Sequence, residues 1–190
     1  MDTFTVQVGG LRRTYPIVTL SPGIRGVYFF LPGDVDLIET CATLLCDRLG
    51  DRRYDVIVSA EAGGIPLAHA MARRLGCGYL VLRKSVKPYM DRPLVEEVRS
   101  ITTDAVQTLV LDSRDIAKLR EKDALIVDDI VSTGGTIAGA MELARQAGGR
   151  PVAIATVFLE GDARAEDIMR GYGCEIAFLG HLPVFRSPAP

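Results

Sequence analysis

Continuous apolar runs alternate along this chain with stretches whose apolar residues recur every three or four positions. The runs are DVIVSA (55–60), GYLVLR (78–83), ALIVDD (124–129), PVAIATVFL (151–159) and CEIAFLG (174–180). Strands that bury only one face alternate apolar with polar residues, so runs without alternation predict strands covered on both faces. Between them, Val35, Ile38, Cys41 and Leu45 fall on one helical face, as do Ile65, Ala68, Ala72 and Leu75. Ile137, Ala140, Met141 and Ala144 make a third face, which the glycines of AGG (147–149) terminate.

Strand, helix, strand, helix predicts right-handed βαβ units and an α/β fold: a mainly parallel twisted sheet flanked by helices. Ligands of such sheets bind beyond the carboxyl ends of the strands. Three chemically distinctive segments sit at such ends: SAEAGG after the first run, Arg83-Lys84 after the second, and Asp128-Asp129 after the third. Residues 85–107 interrupt the pattern with charge, two prolines and weak periodicity before TLVLD returns as a short strand. An insertion of this length predicts a mobile flap, loosely two-stranded, over the same rim. Residues 1–190 read as a single domain, with no repeat or low-complexity linker before the final RSPAP.

Composition narrows the class. Apolar residues make up 48% and charged residues 24%, with a net charge of −2, so there is no general basic footprint for nucleic acid or an anionic membrane. The start, MDTFTVQVGG, lacks the basic and apolar regions of a secretory signal, and no apolar run is long enough to span a bilayer. Cys41, Cys46, Cys77 and Cys174 have no CxxC spacing and read as reduced thiols of a cytoplasmic protein. His69 lies in a helical pattern and His181 in the tail, and neither has metal-ligand spacing.

The stretch ALIVDDIVSTGGTIAGA (124–140) carries the chemistry. Ser132, Thr133, Gly134, Gly135 and Thr136 follow a strand and open a helix, where glycines let successive N–H groups turn inward as an anion nest. No lysine stands where a nucleoside-triphosphate loop has one, so a monophosphate cradle is the better reading. Asp128 and Asp129, one loop away, suit hydrogen bonds to vicinal hydroxyls or outer-shell contact with a hard divalent ion. A phosphate beside two hydroxyls outlines a ribose 5-phosphate.

This stretch resembles the motif by which type I phosphoribosyltransferases bind 5-phosphoribosyl diphosphate (PRPP), and the likeness in the order of elements runs from about residue 50 to 160. The resemblance implies that Asp128 and Asp129 hold the ribose hydroxyls as catalytic residues and that Ser132 to Thr136 hold the 5-phosphate. SAEAGGIPLA resembles the family's pyrophosphate loop, which assigns Ala60, Glu61, Ala62, Gly63 and Gly64 to the diphosphate. LRK resembles the basic pair beyond the next strand, so Arg83 and Lys84 join them, with Lys87 as a third cation. Tyr89 and Ser100 to Thr103 are candidates to close on the diphosphate. The resemblance also implies a small hood from residues 1–33 and 175–186, Mg²⁺ as cofactor carried by PRPP rather than by a protein cage, and a homodimer.

Within the family, the paired aspartates resemble the adenine, xanthine and orotate branches. RKSVKPYM lacks the histidine of an orotate flap. EAGGIPLA is closer to xanthine enzymes, but Pro32 stands where they place an asparagine. SPGIRGVYFF (21–30) resembles the hood segment of adenine enzymes, with Phe29 or Phe30 placed to stack on a purine. Adenine leads, with xanthine, hypoxanthine or guanine as alternative bases. A non-catalytic PRPP-binding regulator is the rival class, since EAGGIPLAHAMA (61–72) and QTLVLDSRD (107–115) also resemble the phosphoribosyltransferase-like domain of purine repressors.

Overall fold

The computed structural model describes residues 2–99, 106–161 and 170–186. Its centre is a five-stranded parallel sheet made of β4 (Val56–Ala60), β5 (Gly78–Leu82), β8 (Asp123–Val131), β9 (Arg150–Glu160) and β10 (Glu175–Leu182). These are the five runs expected from continuous hydrophobicity. The spatial order is β10-β9-β8-β4-β5. Counted along the sheet's own strands this is 2-1-3-4-5, the doubly wound order whose direction reverses between β4 and β8. A crevice opens at that reversal, because the connections leaving the two strands go to opposite faces.

Both faces are covered, which is why the runs do not alternate. Ile57, Leu125, Val127, Ala155 and Val157 point into one core with helices α1 (Val35–Leu49) and α2 (Gly64–Leu75). Val56, Val58, Ile126 and Ile154 point into the other with α4 (Gly135–Gln146) and Leu119 of the short α3 (Ser113–Leu119). Each fully buried Leu, Ile or Val in these layers stabilises the fold by roughly 1.5–3 kcal/mol before entropy is counted. The helix faces match expectation except in two first turns: Val35 opens α1 exposed, the buried stripe beginning at Leu37, and Ile65 of α2 is only half-buried, the stripe there beginning at Leu67.

The hood is a four-stranded antiparallel sheet, β1 (Thr3–Val8), β2 (Leu11–Ser21), β3 (Ile24–Val27) and β11 (Val184–Arg186), in the order β1-β2-β3-β11. Val6, Val8, Val27 and Phe29 enter the α1–α2 core beside Phe158 and Leu182, seating the hood on the main sheet. Asp34 locks that seat: it accepts from Leu37 N at 3.1 Å as the cap of α1 and from Arg13 Nε of β2 at 2.5 Å. The arginine beside it holds the Asp34 carboxyl below its ordinary pKa. His181 lies in β10, within the parallel sheet rather than in a tail.

The interruption at 85–107 contains a regular element. β6 (Leu94–Arg99) pairs antiparallel with β7 (Val106–Leu111) through six residue pairs. This hairpin rests on α4, where a side chain at Gly139 would meet Val98 at 2.4 Å and Leu109 at 2.9 Å. Glycine there lets the hairpin approach the helix backbone closely. Arg83 exchanges backbone hydrogen bonds with Val110, stitching the hairpin to the edge of the sheet beyond β5. The flap is thus rooted on the same helix that the glycine loop opens. Ser100 to Thr103 lie outside the described residues.

All four cysteines are free; burial pushes the thiol pKa of Cys41 up to about 12 and that of Cys46 to about 11. Neither supplies thiolate at neutral pH. No helix among the described residues is long and apolar enough to cross a membrane.

Candidate active site

The site is assembled at the reversal of the sheet. β4 ends at Ala60, the chain turns through Glu61 to Gly63 with a cis Glu61–Ala62 peptide, and α2 starts at Gly64. Next to it, β8 runs through Asp128 and Asp129 and stops at Val131, two residues later than expected, because Ile130 and Val131 still pair with Phe158 and Leu159 of β9. Ser132 to Gly134 then lead into α4.

The two loops are locked together by their smallest residues. A Cβ placed on Gly63 would lie 2.2 Å from Asp129 Oδ2, and one on Gly64 would lie 2.4 Å from Ser59 Oγ and 3.0 Å from Asp128 Oδ1. Only hydrogen at these positions lets the carboxylate pair nest against the turn. Asp128 Oδ1 accepts from Asp129 N at 3.0 Å and Asp129 Oδ1 from Ile130 N at 3.1 Å, fixing both side chains on a rigid strand.

Burial raises the pKa of Asp128 well above the ordinary carboxylate value, and the neighbouring Asp129 charge raises it further. Burial raises Asp129 as well, while the positive charge of Lys84 works against both shifts. Two carboxylates in one half-buried site resist ionising together. Such a pair gains most from a ligand that donates hydrogen bonds or carries positive charge to it.

The helices sort by how their N-termini are satisfied. α1 and α3, away from the crevice, are capped by the side chains of Asp34 and Asp112. α2 and α4, at the crevice, begin at Gly63 and Gly134 with no side-chain cap and no acid in the first turn. Their unsatisfied N–H groups and positive dipole ends flank the aspartates on either side. Gly134 takes φ +77°, a left-handed conformation that lets the loop turn sharply into α4. A cavity of about 320 Å³ follows this loop from Ser132 to Ile137 and includes Asp128. Leu20 of the hood and Val98 and Gln107 of the hairpin form its other walls.

The cations divide into two kinds. Arg83 Nε lies 3.1 Å from Glu61 Oε2, and Glu61 Oε1 accepts from Lys84 N at 2.5 Å. The Glu61 side chain therefore braces the basic pair, and Arg83 is neutralised within the protein instead of projecting freely into the crevice. Lys84 is exposed and acts on the aspartates. Among the described residues, the Lys87 ammonium donates to the Ser85 hydroxyl, 2.7 Å away. Tyr89, exposed, lies under the Arg114 guanidinium at 5.5 Å.

Of the two phenylalanines, Phe29 is in the core, its ring set edge-on to Tyr15 at 5.1 Å and Phe158 at 4.9 Å. That corrects the expectation for Phe29, because no ring face remains for a ligand. Phe30, next along an extended segment, points the other way and is half exposed, parallel to Tyr28 at 6.2 Å.

Four participants were not foreseen from the sequence. Leu20, Val98 and Gln107 line the cavity because strand pairing distant in sequence brings them there. Tyr172 donates its hydroxyl to Gly134 O at 3.3 Å, a carbonyl that also accepts from Ala138 N at 2.9 Å. It pins the left-handed glycine from outside the motif.

Residues 36–183 match the phosphoribosyl transferase domain family. Among curated proteins, the chain is similar to an adenine phosphoribosyltransferase of Solidesulfovibrio magneticus, 32% identical over 156 residues covering 80% of this chain and 88% of that protein. A second relative, the adenine phosphoribosyltransferase of Thermotoga neapolitana, is 38% identical over 112 residues, 58% of this chain and 62% of that one. Among solved structures, the adenine phosphoribosyltransferase of Thermoanaerobacter pseudethanolicus superposes with a TM-score of 0.65 at 25% identity over 78% of this chain and 82% of its own. The fold also matches the Rhodothermus marinus enzyme of the same name, with a TM-score of 0.69 at 19% identity over 94% and 93% of the two chains.

Proposed function

The chain belongs to the phosphoribosyltransferase family, and from that premise we propose that it transfers the 5-phosphoribosyl group of PRPP to adenine, giving AMP and pyrophosphate in purine salvage. The observation that carries this reading is the pair of uncapped helix N-termini flanking two adjacent carboxylates at the reversal of a parallel sheet. It offers two anion sites separated by a diol site, and PRPP is a phosphate and a diphosphate separated by a diol.

In this reading the α4 loop, Ser132 to Thr136, holds the 5-phosphate, and Asp128 and Asp129 accept from the ribose 2- and 3-hydroxyls. Within the Ala60–Gly64 turn, Glu61 N already donates to Leu82 O at 3.0 Å, so Ala62, Gly63 and Gly64 offer their backbone N–H groups to the diphosphate, with Lys84 and Lys87 contributing charge and the Glu61 side chain holding Arg83 in place. A ring nitrogen of the base forms a bond to C1 of the ribose as the C1–O bond to the diphosphate breaks and pyrophosphate leaves with the electron pair, the proton of that nitrogen passing to the leaving group or to solvent. The transition state is positive at the sugar, where the aspartates stabilise it, and negative at the leaving group, where the turn and the lysines do. The hairpin β6–β7, rooted on α4, is positioned to exclude water from the activated sugar.

The divalent cation of this reading is Mg²⁺ carried by the diphosphate, with Asp128 and Asp129 nearby; when bound it would neutralise leaving-group charge. Phe30 is the hood aromatic left to meet a purine. We read the working form as a cytoplasmic homodimer.

The test is a competition reaction of purified protein with PRPP, Mg²⁺ and equimolar adenine, hypoxanthine, guanine, xanthine and orotate, the products identified by mass. AMP as the main product is expected. IMP, GMP or XMP instead would retain the mechanism and reject adenine, and PRPP binding without any nucleotide would move the chain to the regulator class.

A further inference from the structure

Glu160 is the last residue of β9, at the rim where the strands end. Side chains two apart on a strand share a face, so Glu160 points the same way as Phe158, whose ring meets Phe29 of the hood. Its carboxylate therefore projects under the hood, one step nearer the rim than the core. There it converges with Leu20 on Gly26 of β3: a Cβ at Gly26 would lie 3.0 Å from Glu160 Oε1 and 2.5 Å from Leu20 Cδ1. Leu20 is a wall of the cavity that holds Asp128 and the glycine loop. The carboxylate thus stands beside Leu20, behind the apolar wall of that cavity rather than in its lining.

Two further facts set it apart. Its backbone is fixed, because Glu160 pairs with Leu182 of β10 and Gly161 N donates to Leu182 O at 2.9 Å. Its side chain, half-buried, makes no hydrogen bond or ion pair among the described residues, whereas Asp34, Glu61 and Asp112 are each matched with an arginine. A rigidly mounted carboxylate without a partner, next to an apolar surface, suits one polar contact to an otherwise flat ligand.

We propose that Glu160 is a specificity-determining residue that accepts a hydrogen bond from the exocyclic amine of the base. This rests on the transfer reaction proposed above and identifies what selects its acceptor. The sugar is held at Asp128 and Asp129, so a base joined to C1 extends toward the hood, between Leu20 and the end of β9. A carboxylate only accepts hydrogen bonds, so it favours the 6-amino group of adenine and disfavours the 6-oxo group of hypoxanthine or guanine, which presents an acceptor. Leu20 supplies apolar contact to the ring but does not distinguish the two.

The experiment measures kcat/KM for adenine and for hypoxanthine at saturating PRPP in the full-length wild type, Glu160→Gln, Glu160→Ala and Glu160→Asp. Gln offers a donor as well as an acceptor, so the adenine-to-hypoxanthine ratio is expected to fall ~10- to 100-fold in Glu160→Gln, the range of a lost charge-assisted hydrogen bond. Glu160→Ala loses adenine efficiency to a similar extent, Glu160→Asp retains the preference, and KM for PRPP stays within about twofold throughout. A purely structural role would lower both bases together and leave the ratio unchanged. An unchanged ratio in Glu160→Gln, with wild type using adenine, overturns this inference alone. A wild type that turns over hypoxanthine and not adenine overturns the proposed base as well.

Discussion

Replacing Gly63 by alanine isolates the geometry of the carboxylate pair from the stability of the fold. Gly63 has φ −63° and ψ −39°, a helical conformation open to any residue, so the backbone does not object to a side chain. At such a position a Gly→Ala change is expected to stabilise by about 0.4–1 kcal/mol through the unfolded chain. The cost falls elsewhere. The new methyl would stand 2.2, 2.6 and 2.7 Å from Oδ2, Cγ and Oδ1 of Asp129, so the whole carboxylate must move. Ordinary contact requires roughly 3.5 Å, so the displacement is on the order of 1 Å. It also pulls Oδ1 from Ile130 N, now at 3.1 Å. A misplacement of this size at a reacting centre can cost about 100-fold. We expect kcat/KM to fall by about two orders of magnitude while the melting temperature stays within roughly 3 °C of wild type. Steady-state kinetics with PRPP and adenine, beside thermal denaturation monitored by circular dichroism, reads both. Activity within threefold of wild type would refute the claim that Asp129 must nest against this turn. Loss of activity together with a collapse in melting temperature would refute the separation of site from fold.

Three further outcomes are expected. Gly64→Ala brings its methyl to 3.2 Å from Asp128 Cα, backbone that cannot swing aside, so it should destabilise by about 1–3 kcal/mol and lower the melting temperature by several degrees, unlike its neighbour. Asp128→Asn removes a group whose folded pKa is raised chiefly by burial. A raised acid stabilises below its unfolded pKa and loses that contribution as pH rises through the folded value, so the ligand-free variant should melt higher than wild type at pH 8, by roughly 2–4 °C per kcal/mol relieved, with the gap narrowing toward pH 4 although transfer is lost; an equal or lower melting point at pH 8 would count against the strained pair. Tyr172→Phe deletes the hydroxyl over Gly134 O and should raise KM for PRPP about 2- to 10-fold with kcat held, the scale of one neutral hydrogen bond, and an unchanged KM would show that the loop needs no such brace.

Local chemistry made much of this molecule legible in advance. The five parallel strands announced themselves because burial on both faces removes polar residues from a strand, as in ALIV (124–127) and AIATVFL (153–159). The glycine loop and the aspartates could be assigned because their neighbours in sequence are also their neighbours in space. The hood strands escaped because β1 is exposed at every other position and β2 is nowhere fully buried, so neither presents a continuous apolar run. The β6–β7 hairpin was expected only as a loose pair, since Val95, Glu97, Val106 and Gln107 are exposed and Gly139, which seats it, lies on another element. The remaining omissions are long-range. Gly63 against Asp129, Glu61 beside Arg83, Tyr172 on Gly134 and Glu160 beside Leu20 join residues brought together only by sheet order. Phe29 and Phe30 show the limit in miniature: adjacent and alike in sequence, they go to opposite sides of one extended segment, one into the core and the other toward solvent.

The central claim is that the carboxylate pair and the two uncapped helices form one site for PRPP. Its most direct test is calorimetric titration of PRPP with Mg²⁺ into the ligand-free wild type and into Asp128→Asn/Asp129→Asn. The account predicts saturable binding of one PRPP per chain in the wild type and affinity weakened at least ~10-fold in the double variant, whose fold is intact by circular dichroism. Absence of PRPP binding by the folded wild type, or equal affinity in the double variant, would contradict it.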